Sequence, residues 1–280
     1  MGALEGKVAI VTGATSGIGE KIAEVFVEEG ASVVAAGRRE AEGAALEKRL
    51  GVRFIRADVA NEADVRAMVD YARTTFGRVD CLINNAGMTA PVADIAELNM
   101  ADFDRVMTVN IRGVVLCMKY AASIMVSQRA GSIVNISSVA GTRGGFTGHP
   151  YSASKGAVLA VTRSAATELG EKGIRVNAIS PGGIVTGIFG KNAGLEGSQA
   201  DKVTDVVRGI FAELQPIKRA GETIDIARAA CFLASDASAF VNGHDFVVDG
   251  GLSTAVVGWA EGLALRATLA NRIKAAASEA

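Results

Sequence analysis

The chain is short of what cross-linking, membrane insertion and nucleic-acid binding each require. Its 280 residues include 3 cysteines, Cys81, Cys117 and Cys231, an odd number with no paired spacing. A disulfide framework is therefore not expected, and buried free thiols are. No stretch approaches the roughly 18 consecutive apolar residues of a membrane span. The opening MGALEGKVAI lacks the long apolar core of a signal peptide, and Gly6 stands where a myristoylation signal places Ser or Thr. The net charge is -1 and no basic run occurs, so nucleic acid is not an expected partner. No metal site is read. What remains is a cytoplasmic protein without a membrane partner, 49% apolar and 21% charged, within the normal globular range.

Short β-branched runs alternate with longer helical patterns. The runs are KVAIVT (7–12), SVVAA (32–36), VRFIRA (52–57), VDCLIN (79–84), SIVNIS (132–137), IRVNAI (174–179) and DFVVD (245–249). Near-continuous apolar strands separated by helices predict a parallel sheet covered on both faces, an α/β doubly wound fold of about seven strands over residues 1–251. Two stretches break the rhythm. Residues 187–215 form a Gly-interrupted, partly amphipathic insertion, and residues 252–280 form a tail, with Trp259, that is expected to contain a helix.

VAIVTGATSGIGEKIA runs from a strand through a Gly-rich turn into a helix. Gly13 allows the tight turn, Gly17 lets backbone approach a pyrophosphate, and Gly19 permits close packing, while the helix start offers free N–H groups. At the end of the second strand an NAD enzyme places Asp or Glu for the ribose 2′-hydroxyl. Here the residues are Gly37, Arg38 and Arg39. With no carboxylate to repel a 2′-phosphate and two arginines able to bind one, NADP(H) is favoured, with NAD(H) as the alternative. Solvated surface arginines are the plain alternative.

GHPYSASKGA (148–157) sets Tyr151 and Lys155 four residues apart at the head of a helical pattern, on one face. A tyrosine titrates near 10 and needs a favoured phenolate to act at neutral pH. Lys155 brings positive charge beside it. Tyr151 would then exchange a proton with a carbonyl or alcohol oxygen, and Ser138, thirteen positions upstream, would hydrogen-bond the same oxygen.

With these motifs assembled, residues 5–251 resemble the short-chain dehydrogenase/reductase family. TGATSGIG (12–19), NNAG (84–87), Asp58-Val59, PGGIVT (181–186) and YSASK match its motifs in order, and Asn110 in VMTVNIRG completes its Asn, Ser, Tyr, Lys set. The resemblance implies a Rossmann-type sheet and an NAD(P)-dependent oxidoreductase interconverting a secondary alcohol and a ketone. It implies that Lys155 binds the nicotinamide ribose and that Asn110 holds a water linking Lys155 to solvent. It places Thr15, Ser16 and Ile18 at the phosphates, Asp58 and Val59 near the adenine, and Asn84, Asn85, Ala86 and Gly87 beside the adenine ribose. Pro181, Gly182, Ile184 and Thr186 fall at the nicotinamide end, and Tyr151 also touches the cofactor. It implies a homotetramer, or a homodimer, built on the helix carrying Tyr151 and the final strand.

The same resemblance makes residues 187–215 a substrate lid, with Ile188, Phe189, Val206, Ile210 and Phe211 as its apolar face, and a sealing helix pair as the alternative. Met88, Ala140, Phe146 and His149 flank the mouth, so an apolar or aromatic small-molecule carbonyl or alcohol is the expected substrate. His149 is read as a substrate hydrogen-bond donor or as solvated. The competing activities are an NAD-dependent dehydrogenase of a sugar, steroid or cyclic diol, and a cofactor-sensing regulator. An epimerase of nucleotide sugars fits the glycine spacing poorly, and an enoyl reductase would need a wider Tyr to Lys spacing.

Overall fold

The computed structural model describes residues 2–187 and 204–254, together with 261, 264, 267 and 268. Seven strands form one sheet: β1 (Val8–Thr12), β2 (Ser32–Gly37), β3 (Arg53–Arg56), β4 (Cys81–Asn84), β5 (Gly131–Ile136), β6 (Ile174–Pro181) and β7 (Asp245–Val248). Their order is β3-β2-β1-β4-β5-β6-β7, with every pair parallel. This is the doubly wound arrangement that the strand–helix alternation predicts. The expected strands recur with ends shifted by a residue or two. β3 and β4 are each two residues shorter than expected.

Strands β1 to β6 feed two cores by their period of two. Ala9 and Val11 of β1 pack with Ile22 and Phe26 of α1 (Gly17–Glu28), Leu46 of α2 (Glu40–Leu50) and a later helix, Thr223–Ala234. Ile10 faces the other way, onto Val65 and Met68 of α3 (Glu62–Phe76) and the helices that follow. Those are α4 (Met100–Met107), a π turn (Thr108–Arg112), α5 (Gly113–Gln128) and α6 (His149–Gly170). Burial on both faces explains why the strands read as unbroken apolar runs.

The run Met100–Gln128 is long and apolar enough to cross a membrane by length and composition, and half of its most apolar window is buried inside the protein. Leu116, Cys117, Ala121 and Met125 of α5 belong to the second core. α7 (Thr204–Leu214) is the described part of the expected lid. Ile188, Phe189 and the rest of 188–203 lie outside the described residues, as do Trp259 and most of the tail. The apolar face expected of this segment divides. Val206 and Ile210 are exposed, whereas Phe211 sits against Gly183, where an added Cβ would come within 2.7 Å of its ring. α8 (Thr223–Ala234) then packs on α1 through the first core.

The chain runs from β1 outward to β3, then returns to start the other half at β4. The crevice at the carboxyl ends of β1 and β4 is the point where this sheet type binds ligands.

Candidate active site

Gly13 has φ of +64° and Gly17 of +61°, the left-handed region that a side chain rarely adopts. Gly19 is required for another reason: an added Cβ would meet Asn85 Nδ2 at 2.3 Å and the Gly13 oxygen at 2.4 Å. Asn85 Nδ2 donates to the carbonyls of Thr12 and Gly13, so its side chain pins the turn from behind. The Thr12 hydroxyl accepts from the backbone N–H groups of Asn85 and Ala86 and donates to the Ile83 carbonyl. It thereby stitches β1 to β4 at the crevice.

Ser16 precedes α1 in extended conformation and its side chain makes no cap bond. Among the described residues the first-turn N–H groups of α1 keep no side-chain partner, and a positive helix end faces out. The nearest atom to a Cβ built on Gly17 is the Thr186 methyl, 3.5 Å away. An uncapped helix start, a side-chain-free approach and Thr186 opposite fit an anionic pyrophosphate. Thr15 is partly buried and Ile18 packs partly against the first core.

Two arginines stand at the corner that follows β2. Arg39 reaches back over the turn, its Nη2 donating to Thr15 Oγ1 at 2.9 Å, and pairs with Glu42. Arg38 is exposed, with Nη1 3.9 Å from Asp58 Oδ2. Asp58 also accepts from the Ala60 N–H, closing a turn at the end of β3. Val59 is buried against Gly113, where a Cβ would meet it at 2.9 Å. A cavity of about 550 Å³ opens along Arg38, Ala60, Met88, Thr108 and Val109.

Across β6, Pro181 ends the strand and Gly182 donates to the Val248 carbonyl, pressed so close to Asp249 that a Cβ would lie 2.5 Å from it. The Ile184 side chain is buried in the first core, 2.4 Å from where an added Cβ on Gly221 would lie.

Tyr151 stands in the first turn of α6. Pro150 is buried in the same turn, where a missing N–H costs nothing, while His149 is exposed. The helix start presses on the segment after β5. Ser137 Oγ donates to the Lys155 carbonyl at 2.9 Å, and a Cβ on Gly141 would lie 2.7 Å from that carbonyl carbon. Ser138 follows β5, accepts from the Ala140 N–H, and hydrogen-bonds the Tyr151 phenol. Lys155 is 4% exposed, its Nζ donating to the Ile136 carbonyl at 2.7 Å and lying 5.4 Å from the Tyr151 ring centre. Asn110 is fully buried in the π turn. A Cβ built on Gly87 would find Asn110 Oδ1 at 3.4 Å and Lys155 Nζ at 3.6 Å, so the two groups converge on Gly87.

Burial dominates the electrostatics. It pushes the Tyr151 phenol up to about 12, with the Ser138 hydrogen bond pulling the other way, and pushes the Lys155 ammonium down to about 8. Loss of water is the largest cause of both shifts.

Asn110 is anchored by its side chain. Its amide is spent on protein: Oδ1 accepts from the Met88 N–H at 2.8 Å, and Nδ2 donates to the Met88 carbonyl at 2.9 Å and to Ser154 Oγ at 3.0 Å. Sequence reasoning gave no role to Thr12, Gly141 and Ser154, although Thr12 opens the TGATSGIG motif and Ser154 is a small polar residue between Tyr151 and Lys155.

A family model described as enoyl-(acyl carrier protein) reductase matches residues 13–253. Secoisolariciresinol dehydrogenase of Forsythia intermedia is 41% identical over 254 residues, covering 89% of this chain and 90% of its own. Borneol dehydrogenase of Lavandula x intermedia is 41% identical over 251 residues, covering 89% and 92%. The crystal structure of levodione reductase superposes with a TM-score of 0.81 at 35% identity, covering 90% of this chain and 99% of that one. Sheet order, glycine turn and these similarities agree: the chain belongs to the short-chain dehydrogenase/reductase family, which uses NAD(P)(H), and is a dehydrogenase/reductase of the type acting on CH–OH groups.

Proposed function

We propose that the protein interconverts a secondary alcohol and a ketone, prefers NADP(H), and uses Tyr151 as the acid and base. The observation that carries this reading is the convergence of Ser138, Tyr151, Lys155 and Asn110 beside the glycine turn. The dinucleotide, when bound, supplies hydride to a carbonyl carbon or accepts it from an alcohol. It would be held by the uncapped start of α1, by Thr186, and by Arg38 and Arg39 at the 2′-phosphate. In reduction the Tyr151 O–H gives its proton to the carbonyl oxygen, and in oxidation the phenolate takes it back. Ser138 holds that oxygen by a second hydrogen bond. Below about pH 8 Lys155 is largely charged, and its ammonium beside the ring stabilises the phenolate left after proton transfer.

Relatives named as borneol and secoisolariciresinol dehydrogenases and as levodione reductase support a secondary alcohol or ketone. Exposed Phe146 and the nearby Met88 and Ala140 favour an apolar one. Enoyl reduction is not proposed, because Tyr151 and Lys155 stand four apart where a wider spacing is expected. A homotetramer is proposed in which β7, an edge strand with exposed Val247 and with Phe240 standing free nearby, meets a second copy.

Tyr151→Phe removes the proton donor and little else. Across a panel of cyclic and aromatic ketones with NADPH, turnover is expected to fall by about a thousandfold with nucleotide affinity retained. Turnover equal to that of the parent would refute the assignment.

A further inference from the structure

Ser154 has no access to solvent and touches no expected substrate position, yet its hydroxyl sits at a junction. It donates to the Tyr151 carbonyl at 2.8 Å and accepts from Asn110 Nδ2 at 3.0 Å. The other Asn110 contacts are both to the backbone of Met88, directly after Gly87. Asn110 lies in a π turn, closed by the Gly113 N–H to the Thr108 carbonyl. Such a turn is costly in isolation and survives where neighbours hold it. Here the neighbours are Met88 on one side and Ser154 on the other. Ser154 is thus the only hydroxyl joining the π turn to the first turn of α6 among the described residues, and the residue after it is Lys155.

We infer that Ser154 is a positioning residue, whose hydroxyl fixes Asn110 against Gly87 and the Lys155 ammonium and so sets the geometry of proton delivery to Tyr151. The inference rests on the reading of Tyr151 as acid and base. Without the hydroxyl, one Asn110 N–H is left buried and unpaired, and the amide turns toward whatever acceptor it can find. The carboxamide oxygen then leaves its place at Gly87, on which Lys155 Nζ also converges. Substrate and nucleotide contacts do not pass through Ser154, so binding is spared.

The test compares Ser154→Ala, Ser154→Thr and the parent on the fastest ketone of the panel. For S154A, kcat is expected to fall about tenfold. KM and the dissociation constant for NADPH should stay within about twofold, and the solvent deuterium isotope effect on kcat should rise as proton transfer becomes more limiting. Ser154→Thr, which keeps the hydroxyl, should recover most of the loss. A kcat within about twofold of the parent overturns the inference, as does a fall in kcat matched by equal losses in KM and NADPH affinity, which marks a merely structural part. If S154A does not fold, Ser154→Cys, close in volume but a poor hydrogen-bonder, is judged by the same criteria. Undiminished turnover by Y151F would sink the function itself. A dead Y151F beside an unaffected S154A sinks this inference alone.

Discussion

Lys155 is held in the interior with one carbonyl partner, and burial takes its ammonium from 10.5 down to about 8. Between those values the unfolded chain holds a proton that the folded one has released, so stability rises with pH through that window. At about 1.4 kcal/mol per pH unit the full rise amounts to about 3 kcal/mol. Tyr151 acts in the opposite sense but higher: with its phenol at about 12, its contribution is intact below 10 and lost above. Urea unfolding of the nucleotide-free protein at pH 7, 8.5 and 10, in the parent and in Lys155→Met, isolates the lysine. The parent should gain on the variant by about 2–3 kcal/mol from pH 7 to pH 10; a constant difference would show that Lys155 is not strained by burial. Tyr151 and Lys155 were legible as a pair from their spacing. Their titration was not, because dehydration depends on what Ser137 and Gly141 press against the helix, and no local pattern records that.

At the scale of the element, the strand–turn–helix of β1 and α1 assigns different physical work to glycines that look alike in the sequence. Gly17 needs its left-handed backbone but has room for a methyl group, whereas Gly19 has an ordinary φ and no room at all. Gly17→Ala should therefore cost about 1–2 kcal/mol of stability and leave the turn in place. Gly19→Ala must displace Asn85 and break its bonds to the Thr12 and Gly13 carbonyls, at a cost of about 3 kcal/mol or more. Denaturant unfolding ranks the two; a larger loss for Gly17→Ala would reverse the assignment. The strands themselves were plainly written. β1, β4 and β5 are buried on both faces and leave no polar alternation to misread. The π turn between α4 and α5 was not, since its apolar spacing passes for plain helix and its cause, the grip of Met88 and Ser154 on Asn110, comes from distant chain.

For the molecule as a whole, the nucleotide would bridge the two halves of the sheet, with Arg38 and Asp58 at the ends of β2 and β3 and Lys155 and Thr186 beyond β5 and β6. A ligand that binds only the folded chain stabilises it in proportion to the logarithm of its concentration over its dissociation constant. One charge-assisted bond from Arg38 to a 2′-phosphate, worth about 1.5–3 kcal/mol, corresponds to a roughly ten- to hundredfold preference for NADPH over NADH. That bond is weakened by its setting, because Arg38 is exposed and Asp58 competes for it at 3.9 Å. Arg39 is tied to Thr15 and Glu42 and has less freedom to compensate. At equal millimolar concentration NADPH should raise the melting temperature several degrees more than NADH, at about 2 °C per kcal/mol for a chain of this size. In Arg38→Ala the two shifts should converge, chiefly through loss of the NADPH increment. If the parent already responds equally to both, the arginines at β2 do not select the cofactor, and Asp58 turns Arg38 away from it.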